Sequence, residues 1–172
     1  MDDNLQKLIK QPTFKSPYQK AHVGMVYLSN WLENYQQDFF KQYEISPQQF
    51  NILRILRGRY PDPCTINLLK ERMLFKMSDV SRLITRLKKA GLVDRAINKV
   101  DKRETHIHIT EKALEILRKI DTVEDNLFAI LNELDETEIQ QFNHLIDRLL
   151  DAKVKSITAG NGGIAVTDNN HS

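Results

Sequence analysis

Residues 77–91 read Met-Ser-Asp-Val-Ser-Arg-Leu-Ile-Thr-Arg-Leu-Lys-Lys-Ala-Gly. Val80, Leu83, Ile84 and Leu87 recur at helical spacing, which predicts a helix over 77–90 with these four on its inner face. Gly91 stands where a left-handed C-terminal cap belongs. Ser78, Ser81, Arg82, Thr85, Arg86 and Lys89 project elsewhere, with one acid, Asp79, near the start. A face of small hydroxyls and long cations suits a duplex groove. Small residues permit close approach, hydroxyls bond phosphates or bases, and arginine grips guanine O6 and N7 with two parallel bonds. An ordinary solvated helix shows the same pattern, so the neighbouring sequence has to decide.

On the N-terminal side, Thr65 can cap a short helix from Ile66 to about Met73, and a turn around Phe75–Lys76 leads into 77–90. On the C-terminal side, GLVDRA gives a short strand, INKVDKRE a charged loop and THIHI a second strand. Helix, turn and polar helix make a helix-turn-helix, whose second helix enters a major groove. The hairpin that follows carries Lys99, Lys102 and Arg103 at its tip. That order is a winged helix, in which the tip can reach a neighbouring minor groove.

Further out, residues 16–43 form one long helix with Ala21, Met25, Leu28, Leu32, Tyr35 and Phe39 on one stripe. Gly24 weakens it unless close packing wants a small residue there. Trp31, Tyr27 and Phe40 lie off the stripe, and such a second apolar face points to a partner subunit. In ISPQQF, Ser46, Pro47 and Gln49 form a capping box for a helix ending at Gly58. RYPDPC is expected to be a loop, because two prolines oppose regular structure. Thr110 caps a helix running to about Glu133, and Asp135 with Glu138 starts the last one. Ile139, Phe142, Leu145 or Ile146, and Leu149 form its stripe. The expected fold is mainly α: a winged helix-turn-helix with long N- and C-terminal dimerisation helices. Residues 1–15 are an N-terminal extension. The domain covers 16–151, with the winged-helix lobe at about 46–110 and the dimerisation helices at 16–43 and 111–151. Residues 152–172, rich in Gly and Asn, are expected to be a flexible tail.

The 172 residues fit one domain, and 41% hydrophobic residues are enough for a core. The net charge of +2 conceals a split. Residues 50–110 carry 14 Lys and Arg against 6 Asp and Glu, whereas residues 111–151 carry 4 against 11. A basic middle beside an acidic C-terminal third implies a polyanion partner for the former. No apolar run approaches a membrane span, the first residues lack a signal-peptide h-region, and one cysteine cannot form an internal disulfide. These features lead to an expectation of a cytoplasmic protein without membrane contact. No phosphate-cradling Gly-rich loop, Gly-x-Ser-x-Gly or His-Glu-x-x-His occurs, so neither an enzyme nor a cofactor is expected.

SDVSRLITRLKKAGLVDR followed by DKRETHIHITEKA resembles the multiple-antibiotic-resistance regulator (MarR) family of bacterial winged-helix transcription factors. The first segment is similar to that family's recognition helix, the second to its Asp-Arg-Arg wing. The resemblance spans roughly residues 18–150. It implies a homodimer made by the N- and C-terminal helices, binding a pseudo-palindromic operator in double-stranded DNA. It also implies a repressor relieved by a signal such as a small aromatic effector. Arg103 matches the arginine that enters the minor groove, and Asp101 matches the aspartate that holds the tip. Lys102 replaces the family's second arginine, giving a point charge instead of a planar fork. The expected DNA-binding set is Lys76, Ser78, Ser81, Arg82, Thr85, Arg86, Lys99, Asp101, Lys102 and Arg103. The runner-up reading is a winged-helix protein-interaction module that does not bind DNA.

Three other features invite separate readings. His106 and His108 share one strand face, but two ligands fall short of a structural zinc site, and no metal is expected. Cys64 is expected to be a small loop residue in preference to an oxidant sensor. Tyr27, Trp31, Tyr35, Phe39 and Phe40 are read as core and dimer packing, with an effector pocket as the alternative.

Overall fold

The computed structural model describes residues 4–76, 78–97 and 105–158. They fall into two compact units, one ending at Glu124 and the other starting at Asp125. In the first unit the order is α1 (Asn4–Ile9), α2 (Pro17–Lys41), α3 (Pro47–Arg57), β1 (Cys64–Thr65), α4 (Ile66–Arg72), α5 (Val80–Lys89), β2 (Val93–Ile97), β3 (Thr105–Ile109) and α6 (Glu111–Asp121). A 3-10 segment, Glu124–Glu133, follows, and α7 (Glu136–Thr158) forms most of the second unit.

α3 sits at the centre of the first unit. Its Ser46 hydroxyl accepts the Gln49 N–H, and the Gln49 side chain accepts the Ser46 N–H, so both ends of the capping box are made. Ile52, Leu53 and Leu56 are buried, and the helix packs against α2, α4, α5, α6 and β3. Burying each such side chain contributes roughly 1.5–3 kcal/mol. From α5 the inner face supplies Val80, Ile84 and Leu87 to the same core, from β3 comes Ile107, and from α6 come Leu117 and Ile120.

Several expected boundaries move. α5 begins at Val80, not Met77, because the Asp79 carboxylate accepts the Arg82 N–H and takes the N-cap position. RYPDPC is not wholly loop: Cys64 and Thr65 pair with Ile107 and His106, giving a three-stranded antiparallel sheet in the order β1-β3-β2. The helix expected to continue to Glu133 stops at Asp121. There the Thr122 hydroxyl donates to the Lys119 carbonyl and the Val123 N–H to the Ile120 carbonyl, which tightens the chain into the 3-10 segment. The N-terminal extension holds α1, whose Leu5 lies 3.5 Å from where a Cβ on Gly24 would stand. That is an ordinary van der Waals distance, so packing against α1 does not demand a glycine at position 24. The last helix starts as expected, with a reciprocal Asp135–Glu138 box, but it runs to Thr158, into the stretch expected to be tail.

The stripe Ala21–Phe39 of α2 is not an inner face in the single chain. Met25 and Leu28 are each 52% exposed, whereas Phe40, off that stripe, is buried edge-on against Phe39 and stacks at a tilt on Phe50 of α3. Trp31 and Tyr35 stack on each other, with ring centroids 5.1 Å apart. Among the described residues, no helix is long and apolar enough to cross a membrane.

Two helix ends share one geometry with different residues. After α5, the Leu92 N–H bonds the Leu87 carbonyl and the Gly91 N–H the Lys88 carbonyl, with Gly91 at φ +71°. After α2, the Ile45 and Glu44 N–H groups bond the Phe40 and Lys41 carbonyls in the same way, but Glu44 occupies the left-handed position at φ +57°. A Cβ is penalised there and glycine is not. Gly91→Ala is expected to destabilise the protein by about 1 kcal/mol and Glu44→Gly to stabilise it by about as much, read as opposite shifts in urea midpoint.

Cys64 is buried in β1. Burial pushes its thiol upward, and the opposing charges of Arg59 and Arg72 do not reverse that. A raised thiol carries less thiolate at neutral pH, and the thiolate is the reactive form. Native protein at pH 7.5 is expected to resist iodoacetamide, whereas protein in denaturant is expected to be alkylated at Cys64 within minutes, as followed by mass spectrometry. Rapid labelling of the native form would restore a sensing role for this residue.

Candidate nucleic-acid interface

The site is assembled around α5. Its amphipathic sequence buries Val80, Ile84 and Leu87 and leaves Ser81, Arg82, Thr85, Arg86, Lys88 and Lys89 exposed. The placement of α5 is fixed at both ends. At its entry, the Asn51 side chain of α3 accepts the Leu74 N–H, pinning the turn between α4 and α5. At its exit, the Thr110 hydroxyl donates to the Gly91 carbonyl and accepts the Ala113 N–H, while the Thr110 N–H bonds the Leu92 carbonyl. The Lys112 ammonium donates to the Ala90 carbonyl, so the last turn of α5 has a cation on its free carbonyls.

The basic side chains of this unit divide by partner. Arg54 is paired with Glu124 at 2.6 Å, and Arg57 grips both oxygens of Asp121 at 2.6 and 3.1 Å. The Arg82 and Arg86 guanidinium groups have no hydrogen-bond or ion-pair partner among the described residues. Each retains all its donors on a solvent-facing helix. That arrangement can grip phosphate oxygens or the acceptor edge of guanine.

The expected residues do not all fall on this face. Ser81, Arg82, Thr85 and Arg86 come together on α5. Ser78 precedes the helix, half-buried, its N–H donating to the Phe75 carbonyl. Lys76 is exposed in the turn, and its ammonium donates to the Glu71 carbonyl in the last turn of α4, so one of its donors serves a helix end. Lys99, Asp101, Lys102 and Arg103 lie outside the described residues. The strands leading to them are in place, paired from Val93–Ile109 to Ile97–Thr105.

Arg95 on β2 is an addition that the sequence reading missed. It donates to the Ser81 carbonyl at 3.3 Å and to the Thr85 hydroxyl at 3.2 Å, and so lies across the exposed face of α5. The available signal was strand alternation: Arg95 sits two residues after buried Val93 and hence on the side of the sheet that meets α5.

His106 and His108 stand opposite Thr65 and Asp94 respectively, flanking buried Ile107. No group of three or more metal-ligating side chains occurs among the described residues.

Comparison with known proteins places this geometry in context. The MarR family model matches residues 43–104, which hold α3, the helix-turn-helix and the first strand of the hairpin, β2. MgrA, a transcriptional regulator of Staphylococcus aureus, is 27% identical over 118 residues, or 69% of this chain and 78% of MgrA. Of solved structures, S. aureus MepR in complex with DNA superposes with a TM-score of 0.68 at 19% identity, covering 81% of this chain and 99% of MepR. An organohalide-sensing regulator in its 2,4-dichlorophenol-bound form superposes with a TM-score of 0.70 at 18% identity, covering 81% and 87%. The recognition-helix and hairpin order, the family model over residues 43–104 and these likenesses agree: the chain has the winged-helix fold and is similar to MarR-family transcription regulators.

Proposed function

We propose that the protein is a homodimeric, sequence-specific DNA-binding repressor, released from its operator by a small aromatic ligand. The observation that carries the DNA reading is the pair of guanidinium groups, Arg82 and Arg86, that have no partner among the described residues and lie on the exposed face of a helix buried on its other side. In this reading α5 enters the major groove, with Ser81 and Thr85 allowing close approach, and Lys76, Lys88 and Lys89 hold flanking phosphates. The strands β2 and β3 carry Lys99, Asp101, Lys102 and Arg103 to the adjacent minor groove. Solution of a fold neighbour, MepR, as a DNA complex supports this reading.

Support for the dimer comes from apolar side chains that are exposed among the described residues. In α2 they include Met25, Val26, Leu28 and Leu32, and in α7 they include Phe142, Leu145, Leu149 and Val154. Exposed apolar residues in such stripes mark interaction surfaces. A two-fold pair sets its recognition helices about 34–36 Å apart, matching half-sites one helical turn apart. Support for an effector comes from the dichlorophenol-bound neighbour and from the half-exposed Trp31–Tyr35 stack, which offers an aromatic platform. Phe40 belongs to the core and is not part of that platform. A ligand that binds better to a dimer with misplaced recognition helices lowers operator affinity by the same coupling factor.

Arg82→Ala and Arg86→Ala are each expected to weaken binding to the selected operator five- to 150-fold, the equivalent of about 1–3 kcal/mol. Lys89→Ala is expected to weaken all duplexes alike and to lower the salt dependence by about one counterion. Fluorescence anisotropy across a salt series reads both effects. Duplex affinity unchanged in both arginine variants would leave the protein-interaction reading in its place.

Leu145→Glu combined with Leu149→Glu is expected to halve the mass seen by sedimentation and to cut operator affinity at least ten-fold, since two half-sites then bind separately. A wild-type protein that sediments as a monomer at micromolar concentration would remove the dimer from this account.

A further inference from the structure

The three-way contact among Thr85, Ser81 and Arg95 limits what Thr85 can say to a base. A threonine hydroxyl has one proton and two lone pairs. The proton is donated to the Ser81 carbonyl at 2.9 Å. One lone pair receives Arg95 at 3.2 Å, and the same guanidinium nitrogen also reaches the Ser81 carbonyl at 3.3 Å. The hydroxyl is therefore held in one rotamer and has no proton left for an acceptor. Guanine O6, guanine N7, adenine N7, thymine O4 and phosphate oxygens all need a donor. What remains for contact on this exposed residue is one lone pair, which only the amino groups of adenine and cytosine can use, and its methyl group; thymine is the base that shows a methyl group in the major groove.

We infer that Arg95 is a positioning residue that ties up the Thr85 hydroxyl, so that Thr85 selects thymine through methyl-to-methyl contact. The inference rests on the reading of α5 as the groove-entering helix. Arg95 acts through Thr85: it binds the helix from the neighbouring strand, and the guanidinium nitrogen that holds Thr85 also ties β2 to α5. Among the described residues only one of its nitrogens is committed, which leaves the others for a phosphate.

The test is selection of bound duplexes from a random-sequence pool by the full chain, followed by anisotropy on the consensus with each base substituted in turn. Thr85→Val keeps the methyl shape without the hydroxyl and is expected to keep the thymine preference at its position. Thr85→Ser keeps the hydroxyl without the methyl and is expected to lose that preference by about four-fold, the worth of one buried methyl group. Arg95→Ala is expected to blur the same single position, because the released hydroxyl can then donate to other bases. Arg95→Lys, which still carries donors for both acceptors, is expected to restore it. A merely structural role for Arg95 would weaken every position alike, and that uniform loss overturns the inference. So does a thymine preference that survives in Thr85→Ser and vanishes in Thr85→Val. A wild-type protein that selects no consensus at all sinks the DNA reading itself, an outcome distinct from either of these.

Discussion

Burial of α3 is the constraint on which the first unit depends. Ile52, Leu53 and Leu56 lose nearly all contact with water, and every neighbour that covers them is part of the winged-helix lobe or leads into it. α4 and α5 also pack on each other, but α3 is the one element that touches all of α2, α4, α5, α6 and β3. α5 shows the consequence most clearly. Its Val80, Ile84 and Leu87 must turn inward to complete the cover, so its other side is left in solvent by geometry. The cationic face is therefore the obligatory remainder of a packing solution, and evolution had only to choose its residues. Pairing of Arg54 and Arg57 with Glu124 and Asp121 has the complementary effect. It takes two cations of α3 out of competition and leaves those of α5 to define the attractive surface.

Local signals were legible wherever the chemistry is local. Ser46 with Gln49, Asp135 with Glu138, and Thr110 before Ala113 each satisfy backbone groups three residues away, so sequence spacing alone determines them. Gly91 was legible because a left-handed cap favours a residue without Cβ. The break at Asp121 was hidden, since Thr122 and Val123 are not helix breakers; they are only weak formers whose hydroxyl and amide can close a tighter turn. β1 was hidden for another reason. Two residues have no periodicity, and Cys64 becomes a strand residue only by pairing with Ile107, 43 positions away.

The candidate site divides along the same line. The residues of α5 could be found because helical period assigns them to one face. Arg95 could not, since its partners lie across the sheet–helix contact and the strand pattern marks only its side. Periodicity likewise identified the apolar stripe of α2 but not its cover. A repeat of 3.6 says that a face avoids water, and it is silent on whether the shelter comes from the same chain. The donation from Lys76 to the Glu71 carbonyl falls in this class too, as a cation in a turn reads the same whether it faces a helix end or a phosphate.

Thr65 has two duties at once: it is the last residue of β1, opposite His106, and its hydroxyl accepts the Leu68 N–H as the cap of α4. No spacer separates the ladder from the helix. The hairpin and the first half of the helix-turn-helix are thus geared to each other, and neither can pivot without breaking a cap or a strand pair. They should open to solvent exchange as one cooperative block. Anyone transplanting a wing from a relative into this scaffold would have to carry residues 64 and 65 with it, or accept a loosened α4.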